Sequence, residues 1–184
     1  VTPSEFEFNQ STQQASYFLE TVTFNEILID NDDWVGAFNG NTCVGGRQWD
    51  TSLCNNGFCD IPVMGDELSD ITSGYMKSGD YPVFLIYDES QGVYYNTKVE
   101  GEVRHQYDVC RNGYPYCYGW ENQTFPFSSN LIGTDIYMDC MGKLKGDKIL
   151  DKCGICGGGG PQYKCENTNK YYCSEAKLQI ECKK

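Results

Sequence analysis

Residues 139–160 constrain this chain more than any other stretch. They read Asp-Cys-Met-Gly-Lys-Leu-Lys-Gly-Asp-Lys-Ile-Leu-Asp-Lys-Cys-Gly-Ile-Cys-Gly-Gly-Gly-Gly, with seven glycines and three cysteines. So few apolar side chains cannot offset the entropy of ordering this backbone, and covalent closure has to help. Cys165, Cys173 and Cys182 follow. Residues 139–184 therefore read as a small Cys/Gly-rich tail stapled by disulfides. Residues 1–138 form a head long enough to bury a core.

The head carries strand patterns. Phe6 and Phe8 alternate with Glu5 and Glu7, which predicts a short strand over 5–8. Residues 16–24 predict a second strand with Phe18, Val22 and Phe24 on one side. Residues 34–38 predict a buried strand, Asn39-Gly40 a hairpin turn and residues 43–46 the return. Residues 61–64 are another short strand, and residues 65–82 read as a polar surface excursion. Val83-Phe84-Leu85-Ile86-Tyr87 is the most apolar run and is expected at the centre of a sheet. Residues 92–98, 100–107 and 131–138 complete the series. Turn signals recur between short strands, and no amphipathic helix stands out. The expected fold is all-β, an antiparallel β-sandwich of jelly-roll type with the tail appended.

Eleven cysteines imply an oxidising compartment. The six in the tail, Cys140, Cys153, Cys156, Cys165, Cys173 and Cys182, can close as three bridges in fifteen ways. In the head, short loops favour Cys54–Cys59 and Cys110–Cys117, leaving Cys43 either buried and free or bonded to another copy. Cys153-x-x-Cys156 also has the spacing of half a zinc site or a redox dithiol, but no second ligand pair or βαβ context accompanies it. The chain begins at Val1 without an initiator Met, as expected of a mature secreted chain whose signal has been removed. No apolar run reaches the roughly 20 residues of a membrane span.

Charge is unevenly placed. The head holds five Lys and Arg against twenty Asp and Glu; the tail holds nine Lys against six. An acidic head argues against nucleic acid and anionic membranes as partners. A basic tail beside it suits head-to-tail contact between copies of the chain.

Asn9-Gln10-Ser11 and Asn122-Gln123-Thr124 are N-glycosylation sequons, so covalent glycans are expected at Asn9 and Asn122. Three carboxylate groups have the spacing of calcium loops: Asp30, Asp32 and Asp33; Asp66, Glu67 and Asp70; and Asp139, Asp147 and Asp151. None completes an EF-hand pattern, and no other cofactor is implied. The tyrosines Tyr94, Tyr95, Tyr114, Tyr116 and Tyr118, with Trp120, would serve either a sugar-stacking surface or a core. A single histidine, His105, has no nucleophile motif around it, so no catalytic residue is assigned and no enzyme is expected.

Phe6-Glu7-Phe8-Asn9-Gln10-Ser11-Thr12-Gln13-Gln14-Ala15, Asp32-Asp33-Trp34-Val35-Gly36-Ala37-Phe38, Cys43-Val44-Gly45 and Pro62-Val63-Met64-Gly65-Asp66 resemble a β-sandwich module of large secreted and cell-surface proteins of bacteria. Asp139-Cys140-x-Gly142, Gly146 and Asp151-x-Cys153-Gly154-x-Cys156-Gly157-Gly158 resemble the Cys/Gly linker repeat that often follows such modules. A similar Cys-Gly-x-Cys-Gly-Gly run occurs in extracellular matrix proteases of animals, outside their catalytic domain. The resemblance implies an extracellular structural or adhesive setting and brings no activity with it. The leading expectation is a secreted structural glycoprotein that assembles into an extracellular filament or surface layer. Residues 1–14, with Phe6 and Phe8, would be a strand exchanged with a neighbour's sheet. The alternative is a monomeric carbohydrate- or calcium-binding adhesion module.

Overall fold

The computed structural model describes residues 2–54, 58–105, 108–109, 119–166 and 168–182. The head strands are β1 (Gln14–Phe24), β2 (Ile27–Leu28), β3 (Trp34–Asn39), β4 (Thr42–Gln48), β5 (Cys59–Met64), β6 (Val83–Asp88), β7 (Val93–His105), β8 (Asp108–Val109) and β9 (Pro126–Met138). The tail adds β10 (Tyr163–Lys164), β11 (Tyr171–Tyr172) and a short helix α1 (Glu175–Glu181). No helix among the described residues is long and apolar enough to cross a membrane.

The chain is all-β, and the head strands join in one continuous sheet. Its order is β2-β1-β9-β7-β6-β3-β4, with β5 on β1 and β8 on β7. The sheet is mixed, not purely antiparallel as expected. β1 and β9 run parallel, from Phe18 opposite Phe127 to Phe24 opposite Gly133. A parallel pair needs a long crossover, and here everything from β2 to β8 serves as one. The sheet curls until β4 meets β5: a Cβ added at Gly45 would fall on the Pro62 carbonyl oxygen.

Both faces of the central strands are buried. Phe84 and Ile86 face the main core with Tyr17, Leu19, Val35, Ile61, Val93, Tyr95 and Leu131. Leu85 faces a second cluster with Phe6, Phe38, Cys43 and Tyr94. Burial on both sides explains the unbroken apolar run of β6. β1 differs from expectation. Ala15, Tyr17 and Leu19 point inward, then Val22, while Phe18 and Phe24 are only partly covered. The phase changes where β1 hands over from β5 to β9.

The N-terminal segment also corrects the sequence reading. Residues 5–8 form no strand; Ser4–Phe6 is a 3-10 turn. Phe6 is fully buried against its own sheet, its ring 5.6 Å from Phe38 and 5.4 Å from Tyr94, edge to face. Gly36 makes the notch beneath it, since an added Cβ would lie 2.8 Å from the Phe6 ring. The Glu5 carboxylate accepts from the Tyr94 hydroxyl above this cluster. Burying such a ring stabilises by about 2 kcal/mol or more, which the strand pattern of Phe6 and Phe8 did not anticipate. Phe8 is half-buried.

The excursion 65–82 is not wholly superficial, because Tyr75 and Met76 enter the core. Trp120 closes the same end and donates from Nε1 to the Val63 carbonyl at 3.0 Å.

Two tests follow from this packing. Gly45→Ala should destabilise by about 3 kcal/mol through backbone overpacking. Gly46→Ala, whose Cβ would meet nothing closer than 3.5 Å, should unfold within about 1 kcal/mol of the parent. Equal denaturation midpoints for the two would refute the close approach of β4 to β5. Phe6→Ala should cost about 3 kcal/mol and make Cys43 reactive toward a thiol reagent under native conditions. An unchanged Cys43 labelling rate would show that the N-terminal turn is not its cover.

Candidate functional site

The tail is where this molecule departs most from an ordinary β fold. With the last two residues of β9 it forms two successive loops, 137–148 and 149–160, with the same hydrogen bonds at an offset of twelve. In the first, the Asp139 N–H donates to Lys143 O at 3.0 Å, Gly142 N–H to Asp139 O at 2.8 Å and Lys145 N–H to Tyr137 O at 2.6 Å. In the second, Asp151 N–H donates to Ile155 O at 3.0 Å, Gly154 N–H to Asp151 O at 2.9 Å and Gly157 N–H to Ile149 O at 2.8 Å.

Each loop is organised by one carboxylate. Asp139 accepts from the N–H groups of Met141 (3.0 Å), Lys143 (2.9 Å) and Lys148 (3.2 Å). Asp151 accepts from Cys153 (2.8 Å), Ile155 (2.9 Å) and Gly160 (2.8 Å). A charged acceptor thus replaces a core as the centre about which the backbone turns. Two glycines per loop make this possible. Gly142 and Gly154 have φ of 73° and 75°, a region open to glycine at no steric cost. Gly146 and Gly158 lie so close to the carboxylates of Asp139 and Asp151 that a Cβ at either would overlap an Oδ2.

Disulfides link these units in series. Cys140 of the first loop bonds Cys156 of the second. Cys153 of the second bonds Cys173 in the terminal unit, which Cys165–Cys182 closes. There β10 pairs with β11, and Ser174 caps α1 by accepting the Lys177 N–H at 3.3 Å. Ring sizes of this order stabilise by about 3 kcal/mol per bridge in the chain-entropy account. The tail is tied to the head at the β6–β7 turn, where Leu150 N–H donates to Gln91 O at 3.1 Å and its side chain covers Gly92.

Cys153 and Cys156 are both in structural bridges, as expected. They sit in different bridges, so they form neither a redox dithiol nor half a zinc site. The calcium set is likewise not assembled. The oxygens of Asp139 and Asp151 are taken by backbone amides in separate loops, and the Asp147 side chain is exposed on the first loop. Among the described residues no three or more His, Cys, Asp or Glu converge as a metal site. In the head, Asp33 is buried with its carboxylate on the N–H groups of Asp30 and Glu89. Burial outweighs those bonds and pushes its pKa up to about 6. Asp66 is used within its own loop, accepting from Leu68 N–H, and Glu67 accepts from Thr12 N–H in the segment before β1.

Cys54–Cys59 is bridged as expected. Cys110 and Cys117 lie outside the described residues, as do Tyr114, Tyr116 and Tyr118. Cys43 is free and buried, so it is not placed to bond another copy. Burial raises its thiol pKa to about 11. Tyr94, Tyr95 and Trp120 are core residues with little exposed area, and they make no sugar-stacking surface.

Both sequons lie at one end of the sheet. Asn9 is exposed, its Nδ2 donating to Ile71 O at 3.1 Å and its N–H to the Tyr75 hydroxyl at 2.6 Å. Asn122 is half-buried, its Oδ1 accepting from Gln14 N–H at 2.9 Å. Gln14 begins β1, whereas Met138 ends β9, and these strands are parallel. The eleven residues of β1 span roughly 35 Å, so the tail leaves the sheet at the end away from the sequons.

No family model, no curated protein and no solved structure matches this chain.

The loop carboxylates give a pH test. Burial opposes ionisation of Asp139, but its three backbone donors prevail and hold it below the usual carboxylate range. At Asp151 the Ile155 N–H leads the same lowering. A lowered folded pKa means stability present above the unfolded value, near 4, and lost as pH falls through the folded one. The amide resonances of residues 141, 143, 148, 153, 155 and 160 should therefore titrate in two groups, each with a midpoint below that of free aspartate. Asp139→Asn should abolish the titration of the first group only. Midpoints at the free-aspartate value would contradict the carboxylate-centred loops.

Proposed function

We propose that this chain is a secreted structural glycoprotein whose copies join head to tail into an extracellular filament or surface layer. The observation that carries the reading is the opposite net charge of the two successive parts of the chain. An acidic head, with five Lys and Arg against twenty Asp and Glu, precedes a tail with nine Lys against six. The tail leaves the sheet at the far end from the N-terminus of β1. Contact between unlike ends is heterologous, and such contacts give open polymers when the rotation between copies does not close.

The disulfide series supports an extracellular location, since bridges of this density persist in oxidising surroundings. It also makes the tail stiff enough to present a fixed surface. Glycans at Asn9 and Asn122 fit the same setting. The resemblance of the tail motif to Cys/Gly linker repeats in bacterial surface proteins points the same way. Phe6 changes how assembly is pictured. Because it fills its own sheet, the N-terminus acts as a cover within each copy, and the charged ends carry the junctions. No catalytic role is proposed.

Sedimentation of the purified full chain tests this reading. Self-association should be strong at low ionic strength and fall steeply as salt is added, because surface charge pairs are screened. A monomer of 20.8 kDa plus glycan at every salt and protein concentration would overturn it. Treatment with an N-glycosidase should convert Asn9 and Asn122 to Asp; unmodified asparagines at both would remove the glycoprotein part.

A further inference from the structure

Two exposed surfaces of opposite charge stand on different parts of the chain. The first is loop 66–72, beyond the end of β5 and beside the start of β1. Leu68 at its tip is 92 % exposed, with a left-handed φ of 64°. A leucine rarely adopts this conformation, and here the loop holds it there. The Asp66 carboxylate accepts Leu68 N–H at 2.8 Å, the Thr72 hydroxyl accepts Glu67 N–H at 3.2 Å, and Ser69 and Thr72 hydroxyls meet at 3.0 Å. Glu67 ties the loop to Thr12. Ile71 is also exposed, at 60 %. Glu67 and Asp70 flank these two side chains, and neither is in an ion pair among the described residues. The result is a fixed apolar stud with an acidic rim.

The second surface is the paired loops of the tail. Leu144, Ile149 and Ile155 are exposed there. Lys143, Lys145, Lys148 and Lys152 lie in the same two loops, and none is in an ion pair among the described residues. These loops thus carry exposed aliphatic and basic side chains. Their charge is opposite to that of loop 66–72.

We propose that loop 66–72 of one copy docks, Leu68 foremost, on the lysine- and aliphatic-bearing tail loops of the next copy. The inference rests on the head-to-tail reading and names its junction. Apolar side chains accompanied by charges of opposite sign combine attraction with register. The two surfaces belong to different parts of the chain, so contact between successive copies is heterologous and can repeat along an assembly. The junction leaves a free stud at one end of any assembly and a free tail at the other, so it propagates.

The experiment uses two full-length variants. In the stud variant Leu68→Ser and Ile71→Ser remove the apolar tip. In the tail variant Lys143→Glu, Lys145→Glu and Lys148→Glu reverse the charge. Side chains at all these positions are exposed, and circular dichroism should match the parent. Each variant alone should lose about tenfold to hundredfold in self-association constant. Mixed in equal amounts, they should form one species of twice the monomer mass and nothing larger, because the mixture contains one intact stud and one intact tail per pair. Three results would overturn the proposal: parent-like assembly of either variant alone, a mixture that stays monomeric, or a mixture that polymerises. The first and third would leave head-to-tail assembly standing by another junction. A parent chain that never associates would remove both readings together.

Discussion

The parallel ladder between β1 and β9 decides what this molecule presents to its surroundings. Were those strands antiparallel, the last strand of the head would end beside Gln14, and the tail would emerge among the sequons and loop 66–72. Because they run the same way, from Phe18 opposite Phe127 to Phe24 opposite Gly133, the chain leaves the head at the other end. Loop 66–72 lies by the start of β1, and the tail departs from the end of β9. The cost of the arrangement is a crossover of nearly the whole head, which is entropically slow to close. What it gives in return is a polar body with two unlike ends.

The tail solves a different problem. It has too few apolar residues for a core, and it orders its backbone by repeating one device. A carboxylate collects three amide donors, one glycine reverses the chain and a second lets the backbone pass close to the carboxylate. Two such loops, joined by Cys140–Cys156 and continued by Cys153–Cys173, make a unit whose shape depends on hydrogen bonds to charge and on covalent links. The exposed face is then released from any duty in folding. Leu144, Ile149 and Ile155 can sit at the surface because nothing in the tail requires them inside.

Much of the head was legible in the sequence, for reasons particular to its strands. Residues 34–39, 42–48 and 83–88 carry β-branched and aromatic residues between strong turns, and Asn39-Gly40 fixes their hairpin. The unbroken apolar run of β6 announced burial on both faces. The direction of β9 was not legible, because hydrophobic period does not distinguish parallel from antiparallel neighbours. The facing of β1 was misread because its phase changes where it changes partner. Phe6 and Phe8 alternate as a strand would, yet Phe6 is drawn into a turn by a notch at Gly36, thirty residues away. The need for disulfides in the tail was plain, but their pairing was not. The loop repeat was missed although its signal is present: Asp-x-x-Gly-x-x-x-Gly occurs at 139–146 and again at 151–158. Aligning the stretch with itself at an offset of twelve finds it. Leu68 left no trace at all in the sequence, since a lone leucine in a polar loop gives no hint of its exposure or its φ.

Electron microscopy of the native secreted material, neither refolded nor tagged, tests the central claim most directly. The claim predicts regular filaments or sheets in which each repeat fits one 20.8 kDa chain with its glycans, the tail of one subunit meeting the opposite end of the next. Dispersed single particles at high concentration, or assemblies built by two-fold contacts between like ends, would contradict it.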